Sequence, residues 1–207
     1  TLPRKSAFVC PFLAKVLITG GDLVITGSAQ IQGNLTLNGG GTLTLDGGGM
    51  LVSGVFDWTG GTLQGDAVTR VASGGVLNIS GPNLILPSEH YLNVDGGTLN
   101  ISNSFAILGR LYEFAGVINA QAQLTIAKEF YWFGGTLQGS GNTWLSASAL
   151  LNIGGTADKV LDDGHLLEVA GETTVIGTGR ILMGDNTVIR NLAGAKFNLF
   201  SQYLRQK

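Results

Sequence analysis

The sequence predicts an all-β solenoid, a single chain wound into stacked coils of short parallel strands, and three observations carry that prediction. The segment Phe56-Asp57-Trp58-Thr59-Gly60-Gly61-Thr62-Leu63-Gln64-Gly65 returns as Phe130-Tyr131-Trp132-Phe133-Gly134-Gly135-Thr136-Leu137-Gln138-Gly139, a register of 74 residues. Internal copies at a fixed spacing are the signature of repeat architectures. Inside the copies runs a finer pattern of apolar, polar, apolar triplets, the period-two mark of strands with one buried face. Finally, no stretch of a dozen residues shows apolar spacing of three and four, and 33 glycines in 207 residues would interrupt any such helix.

Residues 1–15 contain Arg4, Lys5, an apolar run broken by Pro11, and Lys15. The run resembles a signal peptide only superficially, and its reading as an N-terminal cap over the first coil is preferred. From residue 16 to 198 come the triplets Leu35-Thr36-Leu37, Leu43-Thr44-Leu45, Leu77-Asn78-Ile79, Leu99-Asn100-Ile101, Leu124-Thr125-Ile126, Leu151-Asn152-Ile153 and Phe197-Asn198-Leu199. Gly, Asn, Ser and Asp punctuate them as turn residues. Gly-Gly pairs at 20–21, 60–61, 74–75, 96–97, 134–135 and 154–155 are expected corners. The copies continue through Val76–Ser80 against Leu150–Gly154, and one inserted residue then aligns His90 with His165. Dividing the register by four gives coils of about 18 or 19 residues, hence about ten coils and a single-stranded parallel β-helix roughly 45–50 Å long. A sandwich of two antiparallel sheets is the alternative. Residues 199–207, with Phe200, Tyr203 and Leu204 ahead of Arg205 and Lys207, form a C-terminal cap or an assembly segment.

Charged residues are 13% of the chain against roughly a quarter in an average domain. Such a chain exposes Thr, Asn, Ser and Gln in place of ion pairs around one narrow core. The net charge is -2 and no basic residue lies between Lys15 and Arg70, which speaks against nucleic acid and against an anionic membrane surface. No apolar run reaches the ~18 residues of a spanning helix, so no membrane insertion is expected. The single Cys10 can form no internal disulfide; it is buried, or it pairs with another molecule.

The densest polar cluster is Lys159, Asp162, Asp163 and His165. It reads either as a small acid/base or metal site or as a turn, and the turn is preferred because the other copy places Pro87-Ser88-Glu89 there. His90 and His165 lie about four coils, near 19 Å, apart on this reading, too far to share a zinc ion. No catalytic residue, metal site or cofactor motif is assigned. Sequons at Asn34, Asn78 and Asn100 fall inside strand triplets, where an outward asparagine or a hydrogen-bonded ladder is expected in preference to a glycan.

The pattern F-x-W-x-G-G-T-L-x-G followed by G-V-L-N-I-S-G resembles the repeats of large secreted or surface-attached bacterial adhesin-like and autotransporter-like proteins, whose passenger regions are parallel β-helices. The resemblance implies an extracellular or cell-surface scaffold or adhesive role and no catalytic residues. Parallel β-helices that bind or cleave polysaccharides supply the alternative function. For glycan stacking the candidates are Trp58, Trp132 and Trp144, within a set that includes Phe56, Tyr112, Phe114 and Phe130. Phe56 and Trp58, two residues apart, share a face, as do Phe130 and Trp132; if that face is inward they are core, and Asp57 and Tyr131 point out. For end-to-end assembly into a fibre or sheath the candidates are Cys10, Phe200, Tyr203 and Leu204, with a capped monomeric rod as the alternative. The expected partner is a second copy of the chain or a cell-surface glycan.

Overall fold

A computed structural model describes residues 8–10 and 14–200. The described residues contain no helix, and the strand pairings are parallel. The chain is a β-solenoid of about nine turns, which excludes the antiparallel sandwich. Three strands make a turn, so the rod has three faces. On the first face Phe8–Cys10, Ala29–Ile31, Gly49–Val52 and Val68–Ala72 stack in order. The stack continues through the first halves of Tyr91–Ile101 and Arg110–Ala120, then Glu129–Trp132, Leu150–Ile153, Glu172–Ile176 and Lys196–Phe200. The second face runs from Lys15–Ile18 through Val55–Trp58 and Gly135–Gln138 to Ile181–Met183. The third runs from Asp22–Ile25 to Val188–Asn191, and its sheet is broken between Thr62–Gln64 and Leu84–Leu86. Stacked strands therefore span Phe8 to Phe200, wider than the 16–198 expected, because Phe8–Cys10 pairs with Ala29–Ile31 as an ordinary rung.

The alternation in the triplets decides the core. Leu35, Leu37, Leu43, Leu45, Leu99, Ile101, Leu124 and Ile126 are fully buried, while the intervening Thr36, Thr44, Asn100 and Thr125 face outward. In-register stacking turns these residues into files along the axis. One inward file on the first face reads Ile31, Val52, Val71, Val94, Glu113, Trp132, Ile153, Val175 and Leu199. Each expected Gly-Gly corner has one member at positive φ: Gly21, Gly61, Gly74, Gly96, Gly135 and Gly155.

Several turns have the 19 residues expected, and others are longer. Stacked partners lie from 19 apart, as in Gly49 and Val68, to 24 apart, as in Glu172 and Lys196. The 74-residue register is accordingly not a whole number of turns. Val55–Trp58 lies on the second face and its copy Glu129–Trp132 on the first. The duplication preserves strand order while rotating the copy by one face.

Candidate functional site

The two histidines show what the rotated copy conserves. His90 lies 2.8 Å from Thr69 Oγ1 through Nε2 and 3.3 Å from the Gly65 carbonyl through Nδ1. His165 lies 3.0 Å from Thr143 Oγ1 and 3.0 Å from the Gly139 carbonyl, by the same nitrogens. A carbonyl only accepts, so Nδ1 carries the proton and Nε2 accepts from the threonine hydroxyl. Gly65 and Gly139 have φ of 107° and 102°, and a Cβ at either would collide with a backbone carbonyl of the preceding turn. Burial lowers the pKa of both imidazoles, that of His90 to about 4, so both are neutral struts holding one corner to the turn before it. Because the copy is rotated, they hold different corners, not equivalent points on one edge.

The polar cluster around His165 is likewise spent on structure. Lys159 is 1% exposed and its Nζ donates to the Ala157 carbonyl at 2.9 Å, with burial lowering its pKa. Asp163 and Gly164 form the turn, at φ of 54° and 70°. Among the described residues no group of three or more His, Cys, Asp or Glu is placed to hold a metal ion.

The aromatic candidates divide by burial. Trp58 is 1% exposed and Trp132 fully buried, with Phe56 and Phe130 beside them in the core. Trp58 packs edge-on against Phe105 at 5.7 Å, and Phe130 stacks with Trp132 at 6.3 Å. Glycan stacking on these two indoles is therefore corrected to core packing: the alternation that turns Asp57 and Tyr131 outward turns both tryptophans in. Trp144 is half-buried on the outer side of the third face, between Thr125 and Glu168 in register, and is not gathered with the others. Of the assembly candidates, Cys10 is fully buried with its thiol 3.5 Å from the Asn34 carbonyl, so it offers no surface for pairing; Phe200 is 59% exposed. Tyr203 and Leu204 lie outside the described residues.

The aromatic surface that does exist belongs to the outward residues of the first face. Tyr112 and Tyr131, on successive turns, stack with centroids 4.6 Å apart and planes 4° from parallel. Phe114 and Phe133 extend the array sideways, 5.9 Å from Tyr112 and Tyr131 respectively and 5.5 Å from each other. A centroid spacing close to the rung spacing means that the ring faces look along the rod and their edges look outward. Tyr112 covers one face of Tyr131. The other looks onto the next rung, where Asn152 and Gly154 stand in the files of Tyr131 and Phe133.

There the ladder stops and a groove of about 280 Å³ begins, floored by Asn152 and Gly154 and closed on the far side by Thr174 and Ile176. A Cβ on Gly154 would meet the Phe133 ring at 2.9 Å, so the glycine is what lets that ring lean over this rung. The walls are two rungs, roughly 9.6 Å, apart. A ring held between them at van der Waals distance on both sides needs about 7–8 Å. The Phe133 ring takes part of that gap, and the remainder beyond Tyr131 presents the Asn152 amide and Thr174 hydroxyl as polar groups.

The charges beside the groove are compensated. Arg110 sits 5.1 Å over the Tyr91 ring and places Nε 2.8 Å from Glu129 Oε2, which also accepts from the Tyr131 hydroxyl at 2.7 Å. That hydrogen bond, with partial burial, raises the Tyr131 pKa to about 12, so the phenol stays a neutral donor. Sequence reasoning marked Tyr112 and Phe114 and placed Tyr131 outward; it missed Phe133, whose position two after Tyr131 was the available signal. Comparison with protein-family models, with curated proteins and with solved structures finds no match for this chain.

Proposed function

We propose that the chain is a non-enzymatic, extracellular adhesive rod, of the kind built from adhesin-like β-helix repeats, and that it holds a sugar ring in the groove beyond Tyr131. The observation that carries this reading is the interrupted ladder: two stacked aromatic rungs, a rung reduced to Asn152 and Gly154, and an opposite wall at Thr174 and Ile176 on the rung after it. Pyranoses present an apolar face to an aromatic ring and hydroxyls to amides and hydroxyls at its rim, which this lining supplies. The polar cluster of Lys159, Asp162, Asp163 and His165 is committed to a turn and three structural hydrogen bonds, which favours binding over cleavage.

Calorimetric titration with a panel of oligosaccharides tests the reading. Tyr131→Ala removes the stacking face and is expected to weaken binding about fivefold, in line with the ~1 kcal/mol of an aromatic contact. Gly154→Val fills the floor and is expected to abolish binding. Unchanged affinity in both variants, or turnover of any polysaccharide that is lost on Asp163→Ala, overturns it.

A second reading, end-to-end assembly, draws on the last turn. Phe197, Leu199 and Met183 stand at the end of inward files yet are 49%, 61% and 51% exposed, since no later described turn covers them. Light scattering of the wild type against Phe197→Asp/Leu199→Asp checks this: mass that rises with concentration only in the wild type supports assembly, and a concentration-independent monomer opposes it.

A further inference from the structure

We infer that the ligand is a neutral, polymeric glycan lying lengthwise along the first face, and that a second groove five turns away binds the same chain. The inference rests on the sugar-stacking reading above and extends it. On the same face, toward the N-terminal end, a groove of about 350 Å³ is lined by Gln30, Met50, Leu51, Val68 and Arg70 around Gly49. It shares one feature with the first, a glycine among outward positions that elsewhere carry side chains, in the file that reads Gly49, Val68, Tyr91, Arg110 and Glu129, and its lining is aliphatic and polar where the first is aromatic.

The two grooves are joined without a break by outward residues of one face. Leu51, Arg70, Asn93, Tyr112, Tyr131 and Asn152 form a single file in register. Five rungs separate Gly49 from the Asn152 rung, about 24 Å at the strand spacing. No single sugar covers that length, whereas a linear polysaccharide running parallel to the axis reaches both ends. The outward side chains between are aromatic, amide or joined in an ion pair, with a buried Asn93 Oδ1 that has no protein partner.

Charge selects the class of polymer. The two cations of the strip are paired within it, Arg70 with Asp95 and Arg110 with Glu129. A polyanion would meet a carboxylate beside each arginine and gain little, so the strip suits an uncharged chain.

The test measures affinity for neutral glucan, mannan and galactan fragments of increasing length, and for a polyuronate of matching length, on the wild type, Gly49→Gln and Tyr131→Ala. Fragments long enough to engage both grooves are expected to bind at least about 100-fold more tightly than short ones of the same sugar, because the second contact becomes intramolecular. Gly49→Gln should cancel that gain while leaving short-fragment affinity as in the wild type; Leu51→Glu, in the same groove, serves if the first variant fails to fold. Affinity should not fall with salt. Length-independent binding that Tyr131→Ala destroys, or preference for the polyuronate with steep salt dependence, overturns the strip while leaving the sugar groove standing. Absence of binding by every neutral fragment overturns the sugar-stacking reading itself.

Discussion

Glu113 is the residue whose position is least expected from its chemistry. It occupies an inward file between Val94 and Trp132, fully buried, with no hydrogen-bond partner at either carboxyl oxygen, and the Trp132 Nε1 beside it in the file is unpartnered as well. Burial raises its pKa well above the ordinary carboxyl value, so the folded chain keeps a proton that the unfolded chain releases above about pH 4.3. Stability from this group is complete below the unfolded value and declines as pH rises, by about 1.4 kcal/mol per unit, until Glu113 itself ionises. Glu113→Gln should abolish that decline, so urea midpoints of variant and wild type should diverge as pH rises above the ordinary carboxyl value; parallel curves would contradict the burial. The histidines act in the opposite direction. Their folded pKa values lie below 6.5, so their contribution is present above pH 6.5 and is lost as pH falls below it, for His90 through about 4. Replacing both by Gln should flatten the acid limb of stability, read by circular dichroism across pH 4–7.

At the scale of strands and turns, the second face carries a polar ladder. Asn119 donates to Asn100 at 3.2 Å, Asn100 to Asn78 at 2.9 Å, and Asn78 to Asp57 at 2.8 Å, ending on a carboxylate. The amide nitrogens of the Asn78 and Asn100 sequons are thereby engaged within strands. Asn100→Ala, which breaks two bonds of the ladder, should cost about 1–2 kcal/mol in denaturant unfolding, and peptide mapping after passage through a glycosylating secretory host should find Asn78 and Asn100 unmodified. This ladder and the core were legible in the sequence, because alternation in triplets such as Leu99-Asn100-Ile101 fixes which side chains face in. The corners were legible because paired glycines mark positive φ. The faces were not. Inserted residues in turns such as Asp162-Asp163-Gly164 stretch single coils to 24 residues, and a register divided evenly cannot reveal that copies land on different sides. Glu113 follows the alternation from Leu111, yet its charge argues for an outward side chain; the groove at Gly154 depends on which residues stack above and below, which only the turn lengths determine.

For the whole molecule, stacking makes stability local, since each turn is held mainly by its two neighbours. The middle turns bury their files completely, whereas the last described turn leaves Phe197, Leu199 and Met183 largely exposed. Opening should therefore start at the C-terminal turns and leave the turns around Phe105 and Leu124 closed longest. The same stacking makes a face of the rod a continuous surface, the property on which the glycan strip depends. Hydrogen–deuterium exchange of the chain with and without a saturating neutral polysaccharide tests that dependence most directly. The account predicts slowed exchange along the first face, from the strand Gly49–Val52 through Glu129–Trp132 to Glu172–Ile176, with the strands of the third face unchanged. Protection confined to the third face around Trp144, or none on any face while the polysaccharide is bound, would contradict it.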